Sequence, residues 1–531
     1  MKRWNGWGDE NTTYHFPKSA ANYLISLVGE GQLIPESTLR DVIATVPNTQ
    51  LPAHSLISII PEDRLRHARG QSLPDWVAIS SNRVGSFPDG VVYANNVEDI
   101  HTIIDYCYKN EFNLIPYGGG TSVVGHINPI PDKQLTITLD LTNLNHLIAL
   151  DETSLLATFE AGVRGPDLER LLNARGFTLG HYPQSYEFST LGGWIATRSC
   201  GQQSYYYGRI DSLFAGGHVI TPIGALNLPC FPASAAGPDL RQVILGSEGR
   251  FGVITQATLR VRHFPEFENF YGVFFHDWTS GLAAVREIAQ ACVPVSMLRL
   301  SDPMETETTL ALSGKDQLVN YADRGLHWLG YHADRCLLIC GVTGHPKQAR
   351  QARGHALEIS RSHGGLVIGT TIGKIWQKSR FLTPYLRNVL WERGYAIDTL
   401  ETALPWFSVI TASAAIKRAI QHATAGFNER VLVFAHLSHA YRDGASIYVT
   451  YIFRRDRDPD LTLQRWSTMK TAASQVIIDL GGTITHQHGV GQDHAPYLEA
   501  EKGPVGMTVL KKMCKTFDPS GILNPGKLVD F

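Results

Sequence analysis

Nowhere does this sequence run to the roughly 18 to 20 consecutive apolar residues that a membrane-spanning helix requires, so any contact with a membrane is expected to be peripheral. The opening residues, Met1-Lys2-Arg3-Trp4-Asn5-Gly6-Trp7-Gly8-Asp9, carry no apolar stretch of the kind a signal peptide needs. Cysteine is sparse. The seven residues Cys107, Cys200, Cys230, Cys292, Cys336, Cys340 and Cys514 are odd in number and scattered, which argues against a disulfide framework and for a reducing compartment. Cys336 and Cys340 have no second pair, so a zinc site there is not expected, and no other metal is. An excess of one charge is missing too: 47 basic against 49 acidic residues, with no basic tail, favours no nucleic-acid partner. Internal repeats and low-complexity linkers are also absent.

What is there is a chain of 531 residues, 43% hydrophobic and 18% charged, too long for one core. Residues 1–85 read as a mixed N-terminal extension. From Val91 onward helices and strands alternate: a helix capped at Asn96 with Ile100, Ile103, Ile104 and Cys107 on one face, a short strand at Asn113-Leu114-Ile115, then Leu135, Ile137 and Leu139 at period two. We place a first α+β domain at 86–262. Beyond His263-Phe264-Pro265 the helical patterns lengthen (278–292, 411–427) around strands at 337–341 and 446–453, which predicts a second α+β domain over 263–500. The turn-rich end, 501–531, is expected to return to the first domain.

The chemistry starts at Pro116-Tyr117-Gly118-Gly119-Gly120-Thr121-Ser122. A strand ending in three glycines and two hydroxyls lets backbone approach an anion closely and aims successive N–H groups at it, as a pyrophosphate requires. Two further small-residue stretches follow, Glu187-Phe188-Ser189-Thr190-Leu191-Gly192-Gly193 running on to Thr197, and Gly246-Ser247-Glu248-Gly249-Arg250-Phe251-Gly252-Val253-Ile254-Thr255. Small residues, hydroxyls and apolar neighbours suit backbone lying against a flat ring with polar edges. Three such loops point to an extended dinucleotide. No strand is followed by Gly-x-Gly-x-x-Gly, which removes the nicotinamide fingerprint. Gly521 to Lys527 nearly spells a P-loop, but Leu528 stands where Ser or Thr must hold magnesium.

These three segments, in this order, resemble the flavin domain of the vanillyl-alcohol-oxidase type. The resemblance implies a two-part FAD-binding domain with an α+β cap and FAD in the cleft between them. It places the cofactor on Pro116, Gly118, Gly119, Gly120, Thr121, Ser122, Glu187, Ser189, Thr190, Gly192, Gly193, Thr197, Glu248, Gly249, Gly252, Val253 and Ile254. With small Gly119 and Gly120 in the loop, noncovalent FAD is expected. Trp4-Asn5-Gly6-Trp7-Gly8, Gly180-His181, Ala403-Leu404-Pro405-Trp406, Asp443-Gly444-Ala445-Ser446-Ile447-Tyr448 and His486-Gln487-His488-Gly489-Val490-Gly491 further resemble the alkyldihydroxyacetonephosphate synthase family, across nearly the whole chain. That likeness implies exchange of the fatty acid of acyl-dihydroxyacetone phosphate for a fatty alcohol, with the flavin as covalent catalyst and no net redox change.

By the same likeness Tyr448 takes the proton from the substrate carbon, Arg387 lies close to flavin and substrate, and His486 and His488 are the outer members of a histidine cluster. A phenol titrates near roughly 10, so Tyr448 needs cationic neighbours or the flavin to lower it. His486-x-His488 is expected to present both rings on one strand face. The chain departs from the family at Gln487, where the family has its central histidine, and lacks the long targeting extension of the eukaryotic enzymes. A cytoplasmic bacterial relative, a homodimer, lipid-like substrates and peripheral membrane contact are the resulting expectations. The rival reading is an FAD-linked oxidoreductase of a D-2-hydroxy acid such as D-lactate or glycolate. Its metal-binding pattern fits poorly, because only His436 matches, with Tyr448 and Gln487 at the other ligand positions.

Overall fold

Asn96 accepts a hydrogen bond from the Asp99 N–H and starts the helix Val97–Asn110, which buries Ile100, Ile103, Ile104 and Cys107. Glu111 ends it in the left-handed region at φ 56°, and the chain turns directly into the strand Asn113–Tyr117. This comes from a computed structural model describing residues 2–131, 134–312 and 323–529. Asn113–Tyr117 runs parallel to Thr136–Asp140, and Thr136–Asp140 runs parallel to Gly90–Tyr93, with Ile57–Ser58 antiparallel at the edge. Thr136 and Thr138 are as buried as Ile137 and Leu139, because a parallel sheet is covered on both faces. Near the C-terminus, Leu523 bridges in parallel to Leu114, and the Asn524 N–H donates to the Leu114 carbonyl at 2.9 Å.

A second, antiparallel sheet has the order Leu147–Asp151, Leu156–Glu160, Val253–Arg260, Phe214–Thr221, Gly224–Leu228. The helices Gly165–Asn173 and Leu191–Thr197 bury Leu168, Leu172, Leu191 and Ile195 in one core with Phe159, Ala257 and Leu259.

The third sheet is antiparallel and seven-stranded: Leu366–Val367, Phe267–Phe275, Cys336–Gly344, Met297–Ser301, Leu432–Ala440, Gly444–Arg454, Tyr395–Pro405. The helices Trp278–Gln290, Pro346–Ser362, Trp406–Ala423 and Pro459–Asp479 contribute to the same large core as its strands. One helix starts earlier than its apolar period predicts, at Trp406 rather than 411. Pro405 closes the preceding strand in extended geometry, and the Trp406 indole donates to the Tyr441 and Arg442 carbonyls, fixing the turn into the helix. The early helix Lys18–Val28 packs Leu24 and Val28 against Leu386, Leu390, Tyr395 and Leu432. Among the described residues no helix is long and apolar enough to cross a membrane.

Candidate active site

The loop after Asn113–Tyr117 meets the segment Phe188–Thr190 at very close range. A Cβ on Gly118 would strike Thr190 Oγ1, and one on Gly119 would strike the Phe188 carbonyl. The glycines are thus required by the crossing of two loops, and the same crossing leaves backbone bare along a cavity. Gly119, Gly120, Thr121 and Ser122 direct no N–H to any acceptor among the described residues, which is what an anion-binding nest offers. Lys2 adds a cation: its Nζ donates to the Gly119 carbonyl at 2.7 Å and to Tyr117 Oη at 3.1 Å. Burial and the neighbouring Arg164 charge hold that ammonium down to about 8, against the pull of Asp140.

The cavity measures about 1190 Å³. Its wall includes Pro116, Gly118, Gly119, Gly120, Thr121, Ser122, Ser189, Thr190, Gly192, Gly193, Thr197, Glu248, Gly249, Gly252 and Ile254. Glu187 and Val253 do not line it. Val253 is wholly buried in the core beside Ile220, and Glu187 lies apart with one carboxylate oxygen buried and unpaired. Glu248 reaches the wall, but its carboxylate is already committed. It accepts the Val490 and Gly491 N–H groups at 2.5 and 2.8 Å and lies 3.2 Å from His126 Nε2. It ties the 246–252 loop to the 489–491 loop.

The opposite wall is the inner face of the seven-stranded sheet. Register places Glu401, Tyr448 and His436 directly across from one another on three neighbouring strands, with Ser301 opposite His436. Tyr448 donates to Thr399 Oγ1 at 3.1 Å, stacks on His436 with centroids 5.0 Å apart, and meets the edge of His488 at 5.7 Å. Burial pushes its phenol above the ordinary tyrosine value, and Glu401 and Asp398 push the same way. Thr399 and the Arg387 charge oppose them without winning. Arg387, on the helix Thr383–Glu392, is no solvated arginine. It lies over the Trp76 ring at 4.3 Å, donates to the Gln71 carbonyl, and keeps Nε and Nη2 buried without partners at the cavity wall.

His488 lines the cavity, whereas His486 does not. Residues 486–488 are not a strand, so the rule that puts alternate rings on one face does not apply there. His486 Nε2 instead takes contacts from Tyr441 Oη at 2.5 Å and Arg209 Nη1 at 3.3 Å, and its ring stacks on His439. Burial holds His488 near 3 and His486 well below the ordinary histidine value, so both are neutral near pH 7. Beneath them Glu401 is fully buried and accepts the Gln487 and His488 N–H groups at 2.5 and 2.8 Å, with burial raising its carboxyl to about 7.

Sequence reasoning missed Lys2, Arg299, Glu305 and Glu401. Arg299 Nη2 donates to Glu305 Oε1 at 2.8 Å, and His436 Nδ1 lies 3.0 Å from the same oxygen. Burial works against the charge, but Arg299 and His436 hold the Glu305 carboxyl down to about 2. A depressed carboxylate stabilises the fold above its unfolded pKa and loses that contribution as pH falls through the folded one. Arg299→Met is therefore expected to destabilise the protein by about 3 kcal/mol near neutrality by leaving a buried charge unpaired. That deficit should shrink as pH falls from about 4.5 toward 2; thermal melts across the range check it. Equal deficits at all pH values would assign the loss to packing.

Models of known families match both halves of the chain: an FAD binding domain at residues 88–227 and the C-terminal domain of FAD linked oxidases at residues 264–528. The chain is 30% identical to alkyldihydroxyacetonephosphate synthase of Caenorhabditis elegans, with 99% of this chain and 95% of that protein covered. Against the synthase of Dictyostelium discoideum the identity is 28%, covering 99% and 93%. The solved structure of an alkyldihydroxyacetonephosphate synthase matches with a TM-score of 0.85 at 26% identity over 99% of both chains. FAD is accordingly the cofactor, and the residues present fit it. The unbonded N–H groups of Gly119 to Ser122, with Lys2 behind them, suit a pyrophosphate, and the small residues of the 189–197 and 248–254 stretches leave room for a flat ring. With its FAD-binding domain, its α+β cap and a likeness that runs from end to end, the chain belongs to the alkyldihydroxyacetonephosphate synthase family of FAD-linked flavoenzymes.

Proposed function

We propose that this flavoenzyme replaces the fatty acyl group of acyl-dihydroxyacetone phosphate with a fatty alcohol, forming an ether lipid precursor without net redox change. One observation carries the reading: the cofactor loops, Tyr448 with its imidazole neighbours, and a long apolar wall all line a single cavity. From the sheet side that wall presents Phe274, Met297, Leu337, Ile339, Phe434 and Ile452, and it continues to Leu326, Leu329, Ile372 and Ile375. A hydroxy acid of three carbons has no use for such a surface; an alkyl chain does.

Tyr448 Oη takes a proton from the carbon bearing the ester. The ester C–O bond breaks, and the fatty acid leaves as carboxylate with the bonding pair. The alcohol oxygen then bonds to the same carbon as its proton passes to the departed fatty carboxylate, and Tyr448 returns the first proton to that carbon. Bound FAD supplies the reactive ring against which the carbon is held and ends in the oxidation state in which it began. Tyr448 acts as a base only when ionised, a state that burial opposes, so the cationic Arg387 has to favour it, together with the Thr399 hydroxyl once it turns to donate to the phenolate. The two free guanidinium nitrogens of Arg387 suit the substrate phosphate or the departing carboxylate. His488, neutral, is placed to hydrogen-bond the same groups. The test is fatty-acid release and ether formation from acyl-dihydroxyacetone phosphate with a long-chain alcohol, beside anaerobic mixing with D-2-hydroxy acids. Flavin bleaching by a hydroxy acid without ether product would sink the synthase reading.

Peripheral membrane contact belongs to the same proposal. Leu329 and Ile375 line the cavity and are also 50% and 45% exposed, and the adjacent Trp328 is 87% exposed, so the apolar wall surfaces at an apolar rim. Changing Trp328→Ser and Leu329→Ser together should weaken binding to phospholipid vesicles by at least about tenfold, read by sedimentation, given the ~1.5–3 kcal/mol that one buried large apolar side chain contributes. Turnover of a short-chain, water-soluble substrate should stay within about twofold. Unchanged vesicle binding would place the contact elsewhere.

A further inference from the structure

The cavity explains Tyr448, Arg387 and His488, but not why a carboxylate lies wholly buried behind them. Glu401 Oε1 takes the backbone N–H groups of Gln487 and His488 at 2.5 and 2.8 Å, which fixes the loop that delivers His488 to Tyr448. Glu401 Oε2 is buried with no hydrogen-bond partner, and so is His486 Nδ1; the two lie 3.9 Å apart. The protonation of His486 can be read from its other nitrogen. An arginine only donates, so the contact from Arg209 Nη1 makes Nε2 an acceptor, and the proton of the neutral ring sits on Nδ1, toward Glu401. At 3.9 Å the two make no hydrogen bond, but an N–H on Nδ1 facing Oε2 attracts an ionised carboxylate and repels an O–H placed there.

We propose that Glu401 is a positioning residue of the active site, the end of an Arg209–His486–Glu401 relay that, when ionised, holds the 485–488 loop so that His488 faces Tyr448. The inference rests on the exchange reaction proposed above. Other groups face Glu401 as well: Tyr448 directly across the strand pair, Thr485 and His488 on the loop, and Arg209 with Cys200 from the FAD side. Of these Arg209 is the one permanent cation. Tyr448 is the group that an ionised Glu401 disfavours as an anion, so the positioning gain has to outweigh that repulsion. A proton on Oε2 would set two donors against each other at His486 and loosen the loop. The buried carboxyl titrates at about 7, which puts this change near neutrality.

Glu401→Gln keeps an oxygen for the two backbone N–H groups but turns an amide N–H toward His486 Nδ1–H, a permanent copy of the protonated state. In the FAD-loaded enzyme kcat should fall about 10- to 100-fold with KM within about threefold, and the wild-type rise of kcat through about pH 7 should disappear. Adding Arg209→Met frees His486 to move its proton to Nε2 and accept from the amide, so the double variant should recover about fivefold over Glu401→Gln alone. A wild-type pH limb that persists in Glu401→Gln, or losses that multiply in the double variant, would overturn the proposal. Melting temperature gives a reading without turnover. A carboxyl raised in the folded state contributes stability below its unfolded pKa and loses it as pH rises through about 7, so Glu401→Gln should gain on wild type between pH 5 and pH 8. Parallel melting curves would overturn it as well. If the wild type makes no ether product at any pH, the functional reading fails and the melting curves alone decide the role of Glu401.

Discussion

Tyr448→Phe is expected to lower the exchange rate by roughly 10²–10⁴-fold, the range that a positioned acid–base group contributes, while leaving FAD content and melting temperature near wild type. The substitution is selective because the ring stays. Phenylalanine keeps the stack on His436 and the edge contact with His488, and only Oη is lost, together with its bond to Thr399 Oγ1. One part-buried hydrogen bond is worth about 1 kcal/mol, too little to unfold a chain of this size. The loss should fall on kcat rather than KM, since in the proposed exchange Tyr448 acts in the proton-transfer step rather than in binding. Single-turnover release of labelled fatty acid, with flavin absorbance recorded in parallel, checks it. Retention of more than a tenth of the wild-type rate would move the base to another group, and His436 or His488 would then be the residue to change.

How far the sequence discloses this site depends on whether a feature is local. The Pro116 to Ser122 loop and the 189–197 stretch are visible because the glycines, hydroxyls and flanking apolar periods that define them lie within a few residues of one another, whereas Tyr448 stands out only through the family likeness of the Asp443 to Tyr448 segment. The helix capped at Asn96 and the strand at 113 are legible for the same reason. Glu401 is not, and His436 is visible only as a partial match to a metal-ligand pattern, because what makes them part of the site is strand register: they flank Tyr448 only because Tyr395–Pro405 and Leu432–Ala440 pair on either side of Gly444–Arg454. Lys2 is further from view, reaching Gly119 across a sequence separation that no pattern spans. The misplacement of His486 has a different origin. Alternation predicts one face only in a strand, and the segment is a loop whose shape is set by Glu401 from behind. Glu187 and Val253 show that neighbours of a contact residue share its motif without sharing its exposure.

Gly119→Ala should be among the most damaging single methyls in the FAD half. The added Cβ would meet a backbone carbonyl, that of Phe188, at a distance no real contact tolerates, and no side-chain rotation relieves it. The 118–122 loop and the 187–190 loop would have to separate. That separation would disturb both the N–H groups proposed to hold the pyrophosphate and the Gly119 carbonyl that anchors Lys2. Overpacking of this kind costs roughly 1–3 kcal/mol in a core, and here it falls on a binding site, where a displacement of about 1 Å is itself worth about 10²-fold. The expected result is protein purified with less than about a tenth of the wild-type FAD and not restored by excess cofactor. Gly426→Ala is the control, because a Cβ there would meet nothing within 4 Å. The two substitutions add the same atom to one chain, so a difference in bound FAD between them measures the close approach of the two loops. Equal FAD content would mean that the loops have slack and that FAD binding does not require glycine at 119, leaving the left-handed turn at Gly120, φ 66°, as the position where the loop needs one.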